Sequence, residues 1–180
     1  MAMFLVDTNV MMAASAISEL SNVATRAMPR EIELREIVYD WLLSFDLSDD
    51  RLVLDEVGLV IAEYERNMPH NWQEQEYGLK VLQNKIDHMQ VDYVLIDTLE
   101  GNGEHIAVLD PANEAIVTDR EDRKWVACAL AALVLFGESP AIVYGAETDW
   151  YIARERLREI GVCVQPLLPP DWYMAKVDLA

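Results

Sequence analysis

Met3-Phe4-Leu5-Val6-Asp7-Thr8-Asn9-Val10 is the stretch that decides how this chain is read. Four apolar residues in a row read as a short buried strand. Asp7 closes that run, and a carboxylate just past a buried strand lies at the carboxyl edge of a sheet, where open α/β folds bind ligands. An acid there loses solvation and needs a reason: a metal, a phosphate to handle, or a helix to cap. Asp is a preferred N-cap, so Asp7 has two readings. It caps a helix running from Val10 to about Ser21, or it belongs to a functional site.

Outward from this point, strands and helices alternate. Glu31–Phe45 places Ile32, Leu34, Ile37, Val38, Trp41, Leu42 and Phe45 at helical spacing, which predicts an amphipathic helix. Arg51–Leu54 reads as a strand and Asp55–Arg66 as a helix. Met68-Pro69-His70-Asn71 breaks the chain, and a further helix is expected from Trp72 to Met89. Val91–Ile96 and Ile106–Leu109 read as strands around the turn-rich Glu100-Gly101-Asn102-Gly103, as a hairpin or as one core strand plus an edge strand. Asp122–Phe136 is almost wholly apolar and predicts a buried helix ended by Gly137 and Pro140. Ala141–Tyr144 is a strand, Asp149–Ile160 a helix and Val162–Val164 a last strand. The expected fold is therefore an α/β/α three-layer sandwich around a central, mainly parallel sheet of four to five strands. One domain is expected over residues 1–165, with 166–180 as a surface tail.

Bulk composition narrows the function classes. The 180 residues suffice for a hydrophobic core without disulfides. Cys128 and Cys163 both fall in apolar runs and read as reduced core residues. His70, His88 and His105 are scattered, with no zinc-ligand spacing. No basic start precedes the first apolar run, so a signal peptide is not expected, and no segment is long enough to span a bilayer. A cytoplasmic protein with no membrane partner is expected. The 32 acids and 14 bases give a net charge of −18, a field that favours cations and basic partners and repels nucleic acid.

Three more places repeat the pattern of Asp7. Glu63 falls at the rim of the buried stripe of its helix, either leaning toward the sheet edge or exposed with its stem on the core. In Thr118-Asp119-Arg120-Glu121-Asp122-Arg123-Lys124-Trp125, Asp119 can cap the buried helix, while Asp122 shares a face with Val126 and Ala129 and points inward. Gly145-Ala146-Glu147-Thr148-Asp149-Trp150 follows a buried strand, and Thr148 or Asp149 can cap the next helix. A parallel sheet would bring these acids to one edge. Crowded carboxylates would hold protons unless a cation separates them. Mg²⁺ and Mn²⁺ take such oxygen ligands and serve phosphate chemistry.

Taken together, Phe4-Leu5-Val6-Asp7-Thr8-Asn9-Val10, Glu63-Tyr64, Asp119–Ala129 and the Ala141–Tyr144 strand with Glu147-Thr148-Asp149-Trp150 resemble, in order and spacing, the four motifs of PIN-domain nucleases. The likeness covers about Met3 to Val164. It implies a Mg²⁺- or Mn²⁺-dependent ribonuclease, in many members the toxin of a toxin–antitoxin pair. Asp7, Glu63 and Asp122 match the family's acids. Glu147 and Asp149 both compete for the fourth position. Thr8 and Asn9 match residues that orient the first acid, and Asp119 is an outer-shell candidate. The implied partners are an RNA substrate and a basic antitoxin-like protein. Two features depart from the pattern: added sequence over residues 72–103, and the acidity. The basic residues Arg120, Arg123 and Lys124, and Arg154, Arg156 and Arg158, are candidates for backbone contacts.

Two other readings compete. The first is a non-catalytic module of the same fold that binds a basic protein segment. The second is a phosphatase with Asp7 as nucleophile, disfavoured because Asn9 stands where that chemistry wants a second acid. Apolar content that includes Trp41, Trp72 and Trp172 makes a homodimer an expectation as well.

Overall fold

The computed structural model of the protein describes residues 1–101 and 103–178. Along the chain run β1 (Met3–Val6), α1 (Thr8–Ser15), α2 (Ile32–Asp46), β2 (Arg51–Asp55), α3 (Leu59–Asn67), α4 (Tyr77–Asp87) and β3 (Val91–Val94). Then come β4 (Thr98–Gly101), β5 (Glu104–Ala107), α5 (Pro111–Glu114), α6 (Arg123–Phe136), β6 (Ala141–Tyr144), α7 (Thr148–Glu159), β7 (Cys163–Pro166) and α8 (Pro170–Val177). Five strands form one parallel sheet in the order β3-β2-β1-β6-β7, flanked by helices as a three-layer α/β/α sandwich.

Burial of both sheet faces follows from the apolar strand sequences. Leu5, Val6, Leu52, Val53, Leu54, Ile142 and Val143 are fully buried. Such runs suit a parallel sheet covered on both sides. Phe4 sends its ring against Trp41 and Phe45 of α2, with centroids 5.6 and 5.7 Å away. The apolar α6 packs on β1, β2, β3 and β6. Gly78 of α4 is required by packing: a Cβ there would lie 2.7 Å from that of Met11 on α1. No helix among the described residues is long and apolar enough to cross a membrane.

Strand order determines where a ligand can sit. From β1 the chain builds outward to β2 and β3 on one side and returns to β6 and β7 on the other, so the order reverses between β1 and β6. Crevices at such a reversal, beyond the carboxyl ends of the strands, are the usual ligand sites of open α/β sheets. Register does the rest. Val6 stands opposite Val143, and the Asp7 amide donates to the Val143 carbonyl at 2.9 Å. Asp7 and the segment after Tyr144 are thereby fixed side by side.

Several expectations are corrected. Helix α1 ends at Ser15 rather than near Ser21: tight turns follow it, and the Ala16 carbonyl, which a longer helix would use, accepts from Arg35 of α2 at 3.2 Å. Its guanidinium donates to Ala16, Ala24, Ala27 and Pro29, and so shapes the connection between α1 and α2. The helix expected from Trp72 begins at Tyr77, and Trp72 is 93% exposed. Residues 72–103 hold α4, the sheet's edge strand β3 and part of a separate antiparallel hairpin, β4–β5. Asn102, in the expected turn, lies outside the described residues. Cys163 is exposed, unlike the buried Cys128. The segment read as a surface tail adds α8, whose Tyr173 is fully buried and donates from its hydroxyl to the Gly145 carbonyl at 2.7 Å.

Candidate functional site

Asp7 fills the capping role and makes a second contact beyond it. Its Oδ1 accepts the Asn9 amide at 2.7 Å, which caps α1. Its Oδ2 accepts the indole N–H of Trp150 at 2.8 Å. The side chain is almost wholly buried, and burial pushes its pKa up to about 6 against the opposing pull of these two hydrogen bonds. The charges of Glu147 and Glu63 raise it further.

Asp122 and Glu147 share this neighbourhood. Asp122 stands at the N-cap of α6 without making a side-chain cap bond. Burial, and then the nearby Asp7, Asp119 and Glu147, push it up to about 8, with Lys124 pulling the other way. Glu147, not Thr148 or Asp149, caps α7, accepting the Asp149 amide at 3.3 Å. Its Oε2 accepts from Asn9 Nδ2 at 3.4 Å, and burial raises its proton affinity. Three carboxyls from the ends of β1 and β6 and the start of α6 therefore lie near the order reversal, and burial first, then neighbouring acids, raises each above its ordinary range.

Glu63 joins differently. Its Oε1 accepts from the Thr8 hydroxyl at 2.5 Å, and its Oε2 faces Lys124 Nζ at 2.5 Å. Thr8 therefore orients Glu63 rather than Asp7, and Asn9 holds Asp7 through its backbone while its side chain reaches Glu147. Two of the sequence candidates stay at the edge. Asp149 is exposed and borders a cleft of about 220 Å³ together with Asp119, Asp122, Trp150 and Arg156. Asp119 is exposed and closes a turn by accepting the Glu121 amide at 2.9 Å, instead of capping α6.

Three residues escaped the sequence reading. Trp150 was visible only as part of a motif; its bond to Asp7 depends on the first turn of α7 lying at the carboxyl end of β1. Lys124 stood out only as a candidate for backbone contact, yet it is 5% exposed and lies one helical turn from the fully buried Cys128, a spacing that signals an inward face. Asp55 repeats the Asp7 pattern at the end of β2 and is 1% exposed. Its oxygens are taken by the amides of Leu59 and Val60 at 2.7 and 2.9 Å, so it caps α3.

The donor chemistry would suit a hard dication: Asp7, Asp122 and Glu147 offer carboxyl oxygens, and a cation would offset the burial that raises their proton affinity. Among the described residues, no group of three or more His, Cys, Asp or Glu side chains is drawn together tightly enough to hold an ion as placed. A cation at this site would require side-chain adjustment within the cluster. The fold and site define an α/β/α protein with a partly buried group of carboxyls near the switch point of its sheet. Set against known families, curated proteins and solved structures, the chain has no match.

Proposed function

We propose that this protein is a Mg²⁺- or Mn²⁺-dependent ribonuclease that hydrolyses RNA phosphodiester bonds. The observation that carries the reading is the convergence of Asp7, Asp122 and Glu147 from distant parts of the chain at the switch point. RNA as substrate rests on the resemblance of the four motifs to PIN-domain nucleases, with the toxin of a toxin–antitoxin pair as the corresponding role.

In this reading Asp7, Asp122 and Glu147 hold the cation, and Asp149 stands by at the cleft edge. A bound dication supplies an activated water at neutral pH and offsets charge on the phosphate. Trp150 and the Asn9 amide hold Asp7 in one orientation, so that its remaining lone pairs face the cluster. Asn9 positions Glu147 in the same way. In the same reading Glu63, held between Thr8 and Lys124, would accept a proton from attacking water, and Lys124 would offset charge on the phosphate. The raised proton affinities of Asp7 and Asp122 disappear once a cation is bound, which leaves both as carboxylates at working pH.

The test is cleavage of single-stranded RNA with Mn²⁺ by the wild type and by Asp7→Asn. Wild-type cleavage that falls by several orders of magnitude in the variant is expected. Equal rates in both would remove the assignment.

A second reading is favoured by one observation: Lys124 already neutralises Glu63. A protein that meets its own acids with an ammonium can meet a partner's lysine or arginine likewise, and the charge of −18 would draw a basic antitoxin-like arm. In that case the fold is a binding module without catalysis. Calorimetric titration with Mn²⁺ separates the two, since the module needs no metal affinity at millimolar or lower concentration.

A further inference from the structure

Helix α8 stands beside the site although it holds none of the clustered carboxyls. Strand β7 ends with Pro166 in register with Tyr144, and the Leu167 amide then donates to the Tyr144 carbonyl at 3.0 Å. Pro169 precedes α8 and Pro170 opens it, proline being suited to the first helical position. The helix is thereby set against the carboxyl end of β6, and its Tyr173 is turned inward and fully buried.

Tyr173 touches each part of the connection that carries Glu147. Its hydroxyl donates to the Gly145 carbonyl at 2.7 Å and accepts the Leu168 amide at 3.3 Å. The same Gly145 carbonyl accepts the Glu147 amide at 2.9 Å, so one oxygen joins α8 to the backbone of Glu147. The Tyr173 ring meets that of Tyr144, the last residue of β6, in a T-shaped contact with centroids 5.4 Å apart. It stacks on Tyr151 in the first turn of α7, with centroids 4.8 Å apart and planes 7° from parallel.

Glu147 depends on such support more than Asp7 does. The hydrogen bonds on its carboxylate, from the Asp149 amide and from Asn9, span 3.3 and 3.4 Å. Those on Asp7 span 2.7 and 2.8 Å. Bonds longer than roughly 3.2 Å hold a side chain weakly. The direction in which Glu147 leaves the chain is therefore set by the backbone from Gly145 to Glu147. We propose that Tyr173 is a positioning residue of this site, holding the backbone of Glu147 through the Gly145 carbonyl so that the Glu147 carboxyl stays beside Asn9. The inference rests on the metal-dependent reading, in which Glu147 is a ligand, and deepens it: the site depends on α8, a helix that supplies no ligand. Tyr144 provides a comparison within the same ring cluster. Its hydroxyl is buried and has no hydrogen-bond partner among the described residues.

The test compares Tyr173→Phe with Tyr144→Phe, each of which loses a hydroxyl and keeps its ring. The full chain is titrated calorimetrically with Mn²⁺, and amide hydrogen exchange of the metal-free protein is followed by NMR. Tyr173→Phe is expected to weaken Mn²⁺ binding roughly tenfold, the low end for a residue that orients a metal ligand. Exchange of the Glu147 amide should quicken roughly tenfold as its acceptor loosens, with the amides of β1 and β2 unchanged. Tyr144→Phe should alter neither quantity. A double-mutant cycle with Glu147→Gln separates positioning from general loosening: in that background the effect of Tyr173→Phe on Mn²⁺ affinity should vanish. Urea midpoints establish that each variant is folded. The inference is overturned if the two tyrosine variants behave alike, if exchange quickens evenly through the sheet, or if the affinity loss persists in full beside Glu147→Gln. A wild type that binds no Mn²⁺, with the Glu147 amide still loosened by Tyr173→Phe, would remove the metal reading and leave the positioning role standing. Mn²⁺ binding indifferent to Tyr173 would do the reverse.

Discussion

Trp150 donates its indole N–H to Asp7 Oδ2 across 143 residues of sequence, at 2.8 Å and out of contact with water. The bond joins the first turn of α7 to the end of β1. It makes the orientation of the central carboxylate depend on the last helix but one in the chain.

Replacing Trp150 with Phe keeps the ring and removes the donor. Asp7 Oδ2 is then left buried without that partner, at a cost of about 1–3 kcal/mol. A lower urea midpoint with an unchanged slope is the expected result. RNA cleavage should fall more than stability does, because the carboxylate loses its fixed orientation. A variant with wild-type midpoint would show that the bond contributes nothing.

The Lys124–Glu63 pair gives a second prediction. Removing one partner of a buried pair typically costs about 3–5 kcal/mol. Lys124→Met should therefore lower the stability of the metal-free protein. It should also tighten Mn²⁺ binding, since Glu63 is released to face the cluster without a competing ammonium. Calorimetry that finds weaker Mn²⁺ binding in this variant would contradict the role given to Lys124.

The metal-free protein should lose stability as pH rises. Asp7 moves from 3.8 in the unfolded chain to about 6 in the fold. A group with a raised folded pKa stabilises below its unfolded value, and that contribution fades as pH rises through the folded one. About two units correspond to roughly 3 kcal/mol. With roughly 2–4 °C per kcal/mol for a chain of this size, Tm should fall by roughly 6–12 °C between pH 4 and pH 7 on this account alone. Asp122, raised to about 8, extends the decline to higher pH. Added Mn²⁺ should flatten the upper part of the curve. A calorimetric scan series with Tm rising across this range would refute the crowding of these acids.

Arg35 predicts a structural rather than a catalytic effect. It is 8% exposed and donates to four backbone carbonyls between Ala16 and Pro29. Arg35→Met leaves those acceptors without their partner. Hydrogen exchange over residues 16–31 should speed up by at least tenfold, while the central strands stay protected. Arg35→Lys should rescue only part, because a single ammonium cannot span the four positions.

Much of this molecule was legible before any coordinates. The apolar runs at Met3–Val6, Arg51–Leu54 and Ala141–Tyr144 announce buried parallel strands, and the period of Ile32–Phe45 announces α2, because burial patterns are local and repeat at fixed intervals. The same patterns brought out Asp7, Glu63, Asp122, Glu147 and Asp149, since acids after buried strands or at the rims of buried helices stand out against apolar surroundings. Ends of elements were less legible. Helix α1 stops at Ser15, where the next carbonyl, that of Ala16, accepts from a guanidinium some twenty residues later, and no window of α1 contains that information. Tyr173 is buried for a similar reason: its partner, the Gly145 carbonyl, lies 28 residues away.

The sequence by itself determined which acids lie near strand ends, how many bases the chain has, and that a parallel sheet would gather the former at one edge. Only the tertiary structure decided how they pair. Glu147 turns toward Asp7 and Asn9 while Asp149 faces solvent, Asp55 is consumed as a cap, and Lys124 is drawn inward to Glu63. The physical reason is that spacing along a chain sets which face a residue occupies, whereas hydrogen bonds and ion pairs depend on distances of about 3 Å between groups brought together by strand order and register.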